Sequence, residues 1–565
     1  MSIGFLAIAA CVPILVALVL MVWMHWPAVR AMPMAWAVCA VLAVAVWKMP
    51  VGFVLAATLG GFGNTLNILI IIFGAIVLLF SLQESGGMET IKQGIGGLSD
   101  DKRVQILLIA FLFSAFLEGA AGFGTPAAIA APLLISLGFP ALAAVMACLI
   151  LNSFPVTFGV IGAVVWFGLK NLTPLVNSAA AQGIAPASIP DAWAFFGVVG
   201  KWGAVLNTLP IFILPLFVIC FVTRYFGANR SWKEGLGAWK ISLFASACFA
   251  AAYLFFAFVM GIEFPSLMGG LIALAMTVFA VKQKWLLPAN TWTFGPKEQW
   301  EKDWIGSIDM NGGGQNAANM SQMRAWAPYI LIGALLMLTR LSSLPFKSWV
   351  MGLEINIPAI MGYESVNFSM KPFYLPGIMP FMLTALLIVP MHGMSWKKAG
   401  VAWSNALKRI IGPALALMFA VALVEIFKQS AHNALDYPSM PLSMAKGAAA
   451  LAGGAWPLFA SFVGALGAFI TGSNTVSNLL FSEFQYGLAE QMHLPRQIIV
   501  ALQLVGGSMG NMVCIHNIVA ASAVVGLTGA EGAIIKRNSV PLLIYGLCTG
   551  LLGMLFCYVL FPGIF

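Results

Sequence analysis

Runs of about 20 consecutive apolar residues recur from one end of this chain to the other, and that pattern leaves few folds open. Inside a bilayer every backbone N–H and C=O must be satisfied within the protein, so such runs become helices. Composition agrees: of 565 residues, 61% are hydrophobic and 8% charged, against about a quarter charged in soluble domains. The chain reads as an all-α polytopic membrane protein. Spans fall near 4–24, 33–56, 64–83, 141–168, 194–222, 241–260, 265–281, 326–343, 374–391, 409–427, 496–525 and 538–562. The first apolar run, Ile3 to Trp23, has no basic residue ahead of it and no small-residue cleavage site, so it reads as a span rather than a leader.

Two further apolar regions, 104–138 and 447–487, are interrupted near their middles by Gly, Ser, Asn and Thr. Each is too broken for one span and too short-armed for two. Both read as re-entrant helical hairpins, which exist at membrane depth only when buried in protein or lining a wet cavity. Basic residues then set the topology. With about 12 spans, and each hairpin returning to the side it left, six loops carrying nineteen of the 28 Lys and Arg share one side. The positive-inside rule makes that side cytoplasmic and both termini periplasmic. "NGGGQNAAN", within the one sizeable hydrophilic loop, reads as a disordered linker.

On this topology the two hairpins enter from opposite faces, as elements of an inverted repeat do. "AFLEGAAGFGTP" at 115–126 and "AFITGSNTVSN" at 468–478 share a Phe and a Gly three residues apart, then small residues and a hydroxyl. Each hairpin is followed by a span broken near its centre, "NSFPVTFG" at 152–159 and "GGSMGNMVCIHN" at 506–517. The chain thus divides into a first repeat over 1–222, connecting spans and a cytoplasmic loop over 223–325, and a second repeat over 326–565.

A broken helix offers unpaired N–H groups at one free end, and these bind anions without a side-chain charge. Thr125 and Pro126 suit the start of the first hairpin's second arm, and Asn474 or Thr475 that of the second. Gly122, Gly124, Gly472, Ser473, Ser508 and Asn511 complete the candidate substrate site, as irregular backbone or small polar groups at the interruptions. Single glycines such as Gly119 and Gly507 read instead as sites of close helix packing.

"FLEGAAGFGTPAAIAAPLL" and "GAFITGSNTVSNLLF", followed by "GGSMGNMVCIHNIVAA", resemble the signatures of the lactate permease family, which includes the glycolate permeases. The resemblance covers nearly the whole chain in length, span spacing and motif order. It implies a bacterial inner-membrane carrier that moves L-lactate, D-lactate and glycolate inward with protons. Glu118, Gly122–Pro126, Ser473–Asn478 and Gly506–Asn517 are the counterparts of the family's signature positions.

Ionisable groups at depth need a reason, since each costs at least roughly 2.5–3.5 kcal/mol to insert. Glu118 is the deepest acid, and two roles are open to it: carrying a proton, or tying the hairpin tip by accepting hydrogen bonds. Glu425, three residues before Lys428, suits an ion pair near the outer surface and is a secondary proton-path candidate. His516, in the interrupted eleventh span, is a third candidate, although a neutral histidine donating to a loose carbonyl would also fit there. No Lys or Arg stands at the depth of the interruptions, so the site reads as one for a single carboxylate. Thr125, Ser473 or Asn474 would pair with a 2-hydroxyl.

Other classes fit poorly. The net charge of +9 sits in short loops beside the membrane, not in a nucleic-acid surface. The eight cysteines lie within apolar runs with no metal-ligand spacing. No P-loop, HExxH or nucleophile-and-base cluster indicates a pump, an enzyme or a cofactor site. No repeated filter or charged ring indicates a channel. A sodium-coupled carrier is the alternative, because unwound carbonyls beside Ser, Thr and Asn also hold Na⁺. Oligomeric state leaves no mark in the sequence.

Overall fold

The computed structural model describes residues 2–24, 26, 28–122, 125–306, 320–340, 345–375, 377–527 and 530–565. Among them, eight helices are long and apolar enough to cross a membrane, or up to ten if each of two bent pairs counts as one. That is fewer than the twelve expected. Some expected spans appear instead as shorter apolar helices, Val29–Ala45 and Gly377–His392, or as the bent pair Trp396–Gln429, and one of the eight, Lys102–Ala120, is the first hairpin's leading arm. The stretch "NGGGQNAAN" lies outside the described residues.

Two long helices form one flank. Val51–Glu84 and Trp396–Gln429, 34 residues each, run against one another. Small residues let the backbones approach: a Cβ on Gly61 would stand 2.5 Å from the Ala422 Cα. The second of the pair bends by 45° between Ile411 and Ala414, where the sequence reads Gly-Pro. The expected span 33–56 straddles a real break, because one helix ends at Ala45 and the next begins after Pro50, which precedes its first turn. One small element departs from all-α: Ile355–Ile357 pairs antiparallel with Phe368–Met370. Asn67, on the long helix, fixes this ribbon by donating to the Ser369 carbonyl at 3.1 Å.

The other part of the molecule is built around the two interrupted regions. The first hairpin's leading arm, Lys102–Ala120, is buried along its whole apolar window. Its base is pinned by Arg103, whose guanidinium grips Asp101 with Nε at 3.0 Å and Nη2 at 2.7 Å. Its upper part packs on Pro265–Lys282 through glycines: a Cβ on Gly119 would stand 2.5 Å from the Leu267 Cα, so this glycine serves packing. The return arm runs from Thr125 to Ser136.

The second hairpin is Trp456–Thr471 and Asn474–Gln491, with its turn at Gly472 and Ser473. Its bounds correct the expected 447–487. Residues Met440–Ala452 form a separate helix, turned by 113° at the Gly453–Gly454 corner, where Gly453 takes φ 54°. Ala192–Phe226, Trp239–Phe255 and Glu531–Leu555 pack among these segments.

Candidate functional site

Both hairpins turn on a left-handed glycine, Gly122 at φ 60° and Gly472 at φ 78°. A helix that must reverse at depth needs a residue without the Cβ penalty there. This overlays the hairpins differently from the Phe–Gly pairing in the sequence. The conformational partner of Gly472 is Gly122, not Gly119, which lies inside its helix. In the corrected register Thr125 falls opposite Thr475, Gly124 opposite Asn474, and Glu118 opposite Ala468.

Glu118 lies one helical turn before the first of these glycines and is 3% exposed. Asn152, at the end of the helix Ala141–Leu151, donates from Nδ2 to its Oε2 at 2.8 Å. Its Oε1 rests against backbone: a Cβ on Gly159 would stand 2.7 Å away, and one on Gly122 3.4 Å away. The carboxyl is therefore clasped by the two ends of the segment 152–159, where the first broken span unwinds. Just beyond, Val160 and Ile161 hold φ of 48° and 56°. For β-branched residues such backbone is costly, of order 1–3 kcal/mol each, and persists only where surrounding packing imposes it.

The same unwound segment reaches the second repeat. Thr157 shares a hydrogen bond of 2.8 Å with Ser508, on the helix Arg496–Gly510. Asn474, at the second hairpin's turn, donates from Nδ2 to Ser508 Oγ at 2.8 Å and to the Leu504 carbonyl at 3.1 Å. On the other side, Asn207 donates to Thr157 Oγ1 at 2.9 Å and to the Tyr253 hydroxyl at 3.0 Å, and the Tyr545 hydroxyl donates to Asn207 Oδ1. Every member of this chain is buried. It runs through both broken spans, one hairpin turn and three packed helices.

Several expected residues take their place here, and others do not. The helix cap of the second hairpin's return arm is Ser473, whose Oγ accepts from the Val476 N–H at 3.4 Å. Asn474 is the first helical residue rather than the cap, which frees its amide for Ser508. Thr475 is buried beside it. Asn511 is engaged by Asn517 across the second break. Glu425 makes the expected pair, with Lys428 Nζ at 3.2 Å, and also accepts from Gln429 at 3.0 Å. No bond joins it to the Glu118 cluster. Gly124 and the side chains of Thr125 and His516 lie outside the described residues.

Sequence reasoning passed over Asn152, Thr157, Asn207, Tyr253 and Tyr545. The first two fall within "NSFPVTFG", where the interruption itself was the available signal. The other three sit in plain apolar helices, with only a polar atom to mark them.

A helical bundle unwound at its centre, with a buried carboxyl and a hydroxyl–amide chain held at the breaks, is the build of a multi-pass membrane transport protein. Known proteins agree. The family profile described as L-lactate permease matches residues 6–560. A putative L-lactate permease of Haemophilus influenzae is 31% identical over 512 residues, covering 87% of each chain. The L-lactate permease of Escherichia coli K12 is 28% identical, covering 93% of this chain and 91% of its own. The glycolate permease of the same organism is 26% identical, over 99% and 97%. The chain belongs to the L-lactate permease family.

Proposed function

We propose that this protein imports L-lactate, D-lactate and glycolate together with protons across the bacterial inner membrane, with both termini in the periplasm. The observation that carries the reading is the double clasp of the segment 152–159. It holds the buried Glu118 carboxyl by Asn152 and Gly159, and it bonds the Asn474–Ser508 group through Thr157. A proton on Glu118 and a small acid at the hydroxyl–amide group would share one piece of unwound backbone, so a shift at one would be felt at the other. The arrangement of two hairpins, each followed by a broken span, supports an inverted repeat over 1–222 and 326–565. In the substrate site, Gly122, Gly124, Gly472 and the helix starts at Thr125 and Asn474 would face the carboxylate. Ser473, Asn474, Thr475 and Ser508 would meet the hydroxyl, with Asn511 on the second break. Glu118 is the principal proton group, with Glu425 and His516 further along the path.

Uptake of labelled L-lactate, D-lactate and glycolate into proteoliposomes tests this directly, with and without an imposed pH gradient and with sodium replaced by choline. Accumulation that follows the pH gradient and survives choline is expected. Accumulation that stops in choline would transfer the coupling to sodium. Competition refines the substrate class: lactate and glycolate should displace each other, propionate poorly, malate and citrate hardly at all. A second buried carboxylate would go uncompensated, and a site built to bond a hydroxyl rejects analogues that lack it.

A further inference from the structure

A cavity of about 690 Å³ lies between the long-helix flank and the hairpin part of the molecule. Asn64 and Glu425 with Lys428 line it from the two long helices; Lys170 and Asn171 line it from the far end of the first broken span, and Glu483 from the second hairpin's return arm. None of these belongs to the buried hydroxyl–amide chain. The charges are unequally committed. Lys428 is paired with Glu425, and Glu490, at the rim, is paired with Arg496 at 3.2 Å. Glu483 accepts from Ser439 at 3.3 Å. Lys170 donates to the amide oxygen of Asn64 at 2.9 Å, and among the described residues it makes no ion pair.

We propose that this cavity is a second binding site for a small monocarboxylate, anchored by Lys170, through which substrate reaches the centre. The inference rests on the transport reading given above. An ammonium with three donors and one amide partner retains capacity for a carboxylate. Asn64, Asn171 and Asn367 on the cavity wall offer amides to a 2-hydroxyl. The floor includes Leu479, whose carbonyl accepts from Asn171 at 3.0 Å. Leu479 is five residues beyond Asn474 on one helix, about 7.5 Å along its axis at 1.5 Å per residue. The cavity wall at Leu479 is thus little more than one helical turn from the hydroxyl–amide group.

The test counts labelled L-lactate bound per chain at equilibrium on the purified full-length protein, beside uptake by proteoliposomes. The native protein should bind two per chain, Lys170→Met one, and Lys170→Arg two. The apparent KM of Lys170→Met should rise about tenfold, while that of Lys170→Arg should stay near the native value. A single site in a native protein that transports lactate would overturn the second site and leave the transport reading standing. Two sites retained in Lys170→Met would remove Lys170 as the anchor. A native protein that neither binds nor transports these acids would overturn both readings. The native count decides the matter even if Lys170→Met fails to fold.

Discussion

The two hairpins make the same turn and bring different chemistry to it. Each reverses on a left-handed glycine with a threonine three residues later, Thr125 after Gly122 and Thr475 after Gly472. Four residues before the glycine the first carries a buried carboxyl, Glu118, and the second carries Ala468. Just after the glycine the second carries Ser473 and Asn474, where the first has Phe123 and Gly124. The arms differ as well. The second hairpin is laced by polar side chains: Ser477 donates to the Gly464 carbonyl at 2.7 Å, Gln485 bonds Gln503 at 3.2 Å, and Trp456 donates to Gln485 at 2.8 Å. The first hairpin's leading arm is apolar from Ile106 to Phe113. Two similar turns therefore carry different groups, an ionisable one beside Gly122 and neutral donors and acceptors beside Gly472.

The sharpest way to break this contrast is to neutralise the one group that has no counterpart. Glu118→Gln keeps the side chain's shape and a partner for Asn152 but cannot release a proton. It should abolish accumulation under a pH gradient while exchange persists; a Gln variant that still concentrates lactate would end the division of labour.

Next in size are the turns themselves. Gly122→Val and Gly472→Val force a branched residue into left-handed backbone, and the first also drives a side chain into Val160. Both should lose most of their affinity for substrate in uptake assays, beyond any loss of protein in the membrane. Equal losses of protein and activity would mean the glycines serve only folding.

A smaller change falls on the second hairpin alone. Asn474→Ala removes two neutral hydrogen bonds and Ser508→Ala three, each worth about 0.5–1.5 kcal/mol, and both should raise the apparent KM for lactate by about threefold to tenfold. The pH dependence of accumulation should stay as in the native protein, and a changed proton requirement would blur the two roles together. The smallest effect expected is on stability. Trp456→Phe deletes the indole donor to Gln485 and should cost about 1 kcal/mol, read as a modest fall in the thermal midpoint with transport intact.

How far the sequence could be read follows from what each feature depends on. Glu118 was visible because a lone charge in an apolar run is a local fact. The two breaks were visible for the same reason, as glycines and prolines interrupt a helix wherever they stand. The register of the hairpins was not, because a shared Phe–Gly spacing points to Gly119 while only backbone torsion singles out Gly122. The second hairpin's start was misplaced because Gly453–Gly454 lies within continuous apolar sequence, and glycine pairs are tolerated inside many membrane helices. Asn207, Tyr253 and Tyr545 were out of reach altogether. Their meaning lies in meeting Thr157 from three different helices, and no spacing along the chain records that meeting.

The sealing of Glu118 bears on the energy supply of the cell. A carboxyl that water freely reached from both sides would let protons cross the bilayer unaccompanied and short-circuit the gradient that powers many other processes. At 3% exposure, with Asn152 on one oxygen and glycine backbone against the other, this one is shut off from water, so as a proton carrier it would have to wait for the surrounding helices to rearrange. If that rearrangement waits for the substrate, the idle protein is electrically quiet, and liposomes carrying it should leak protons no faster than liposomes without it.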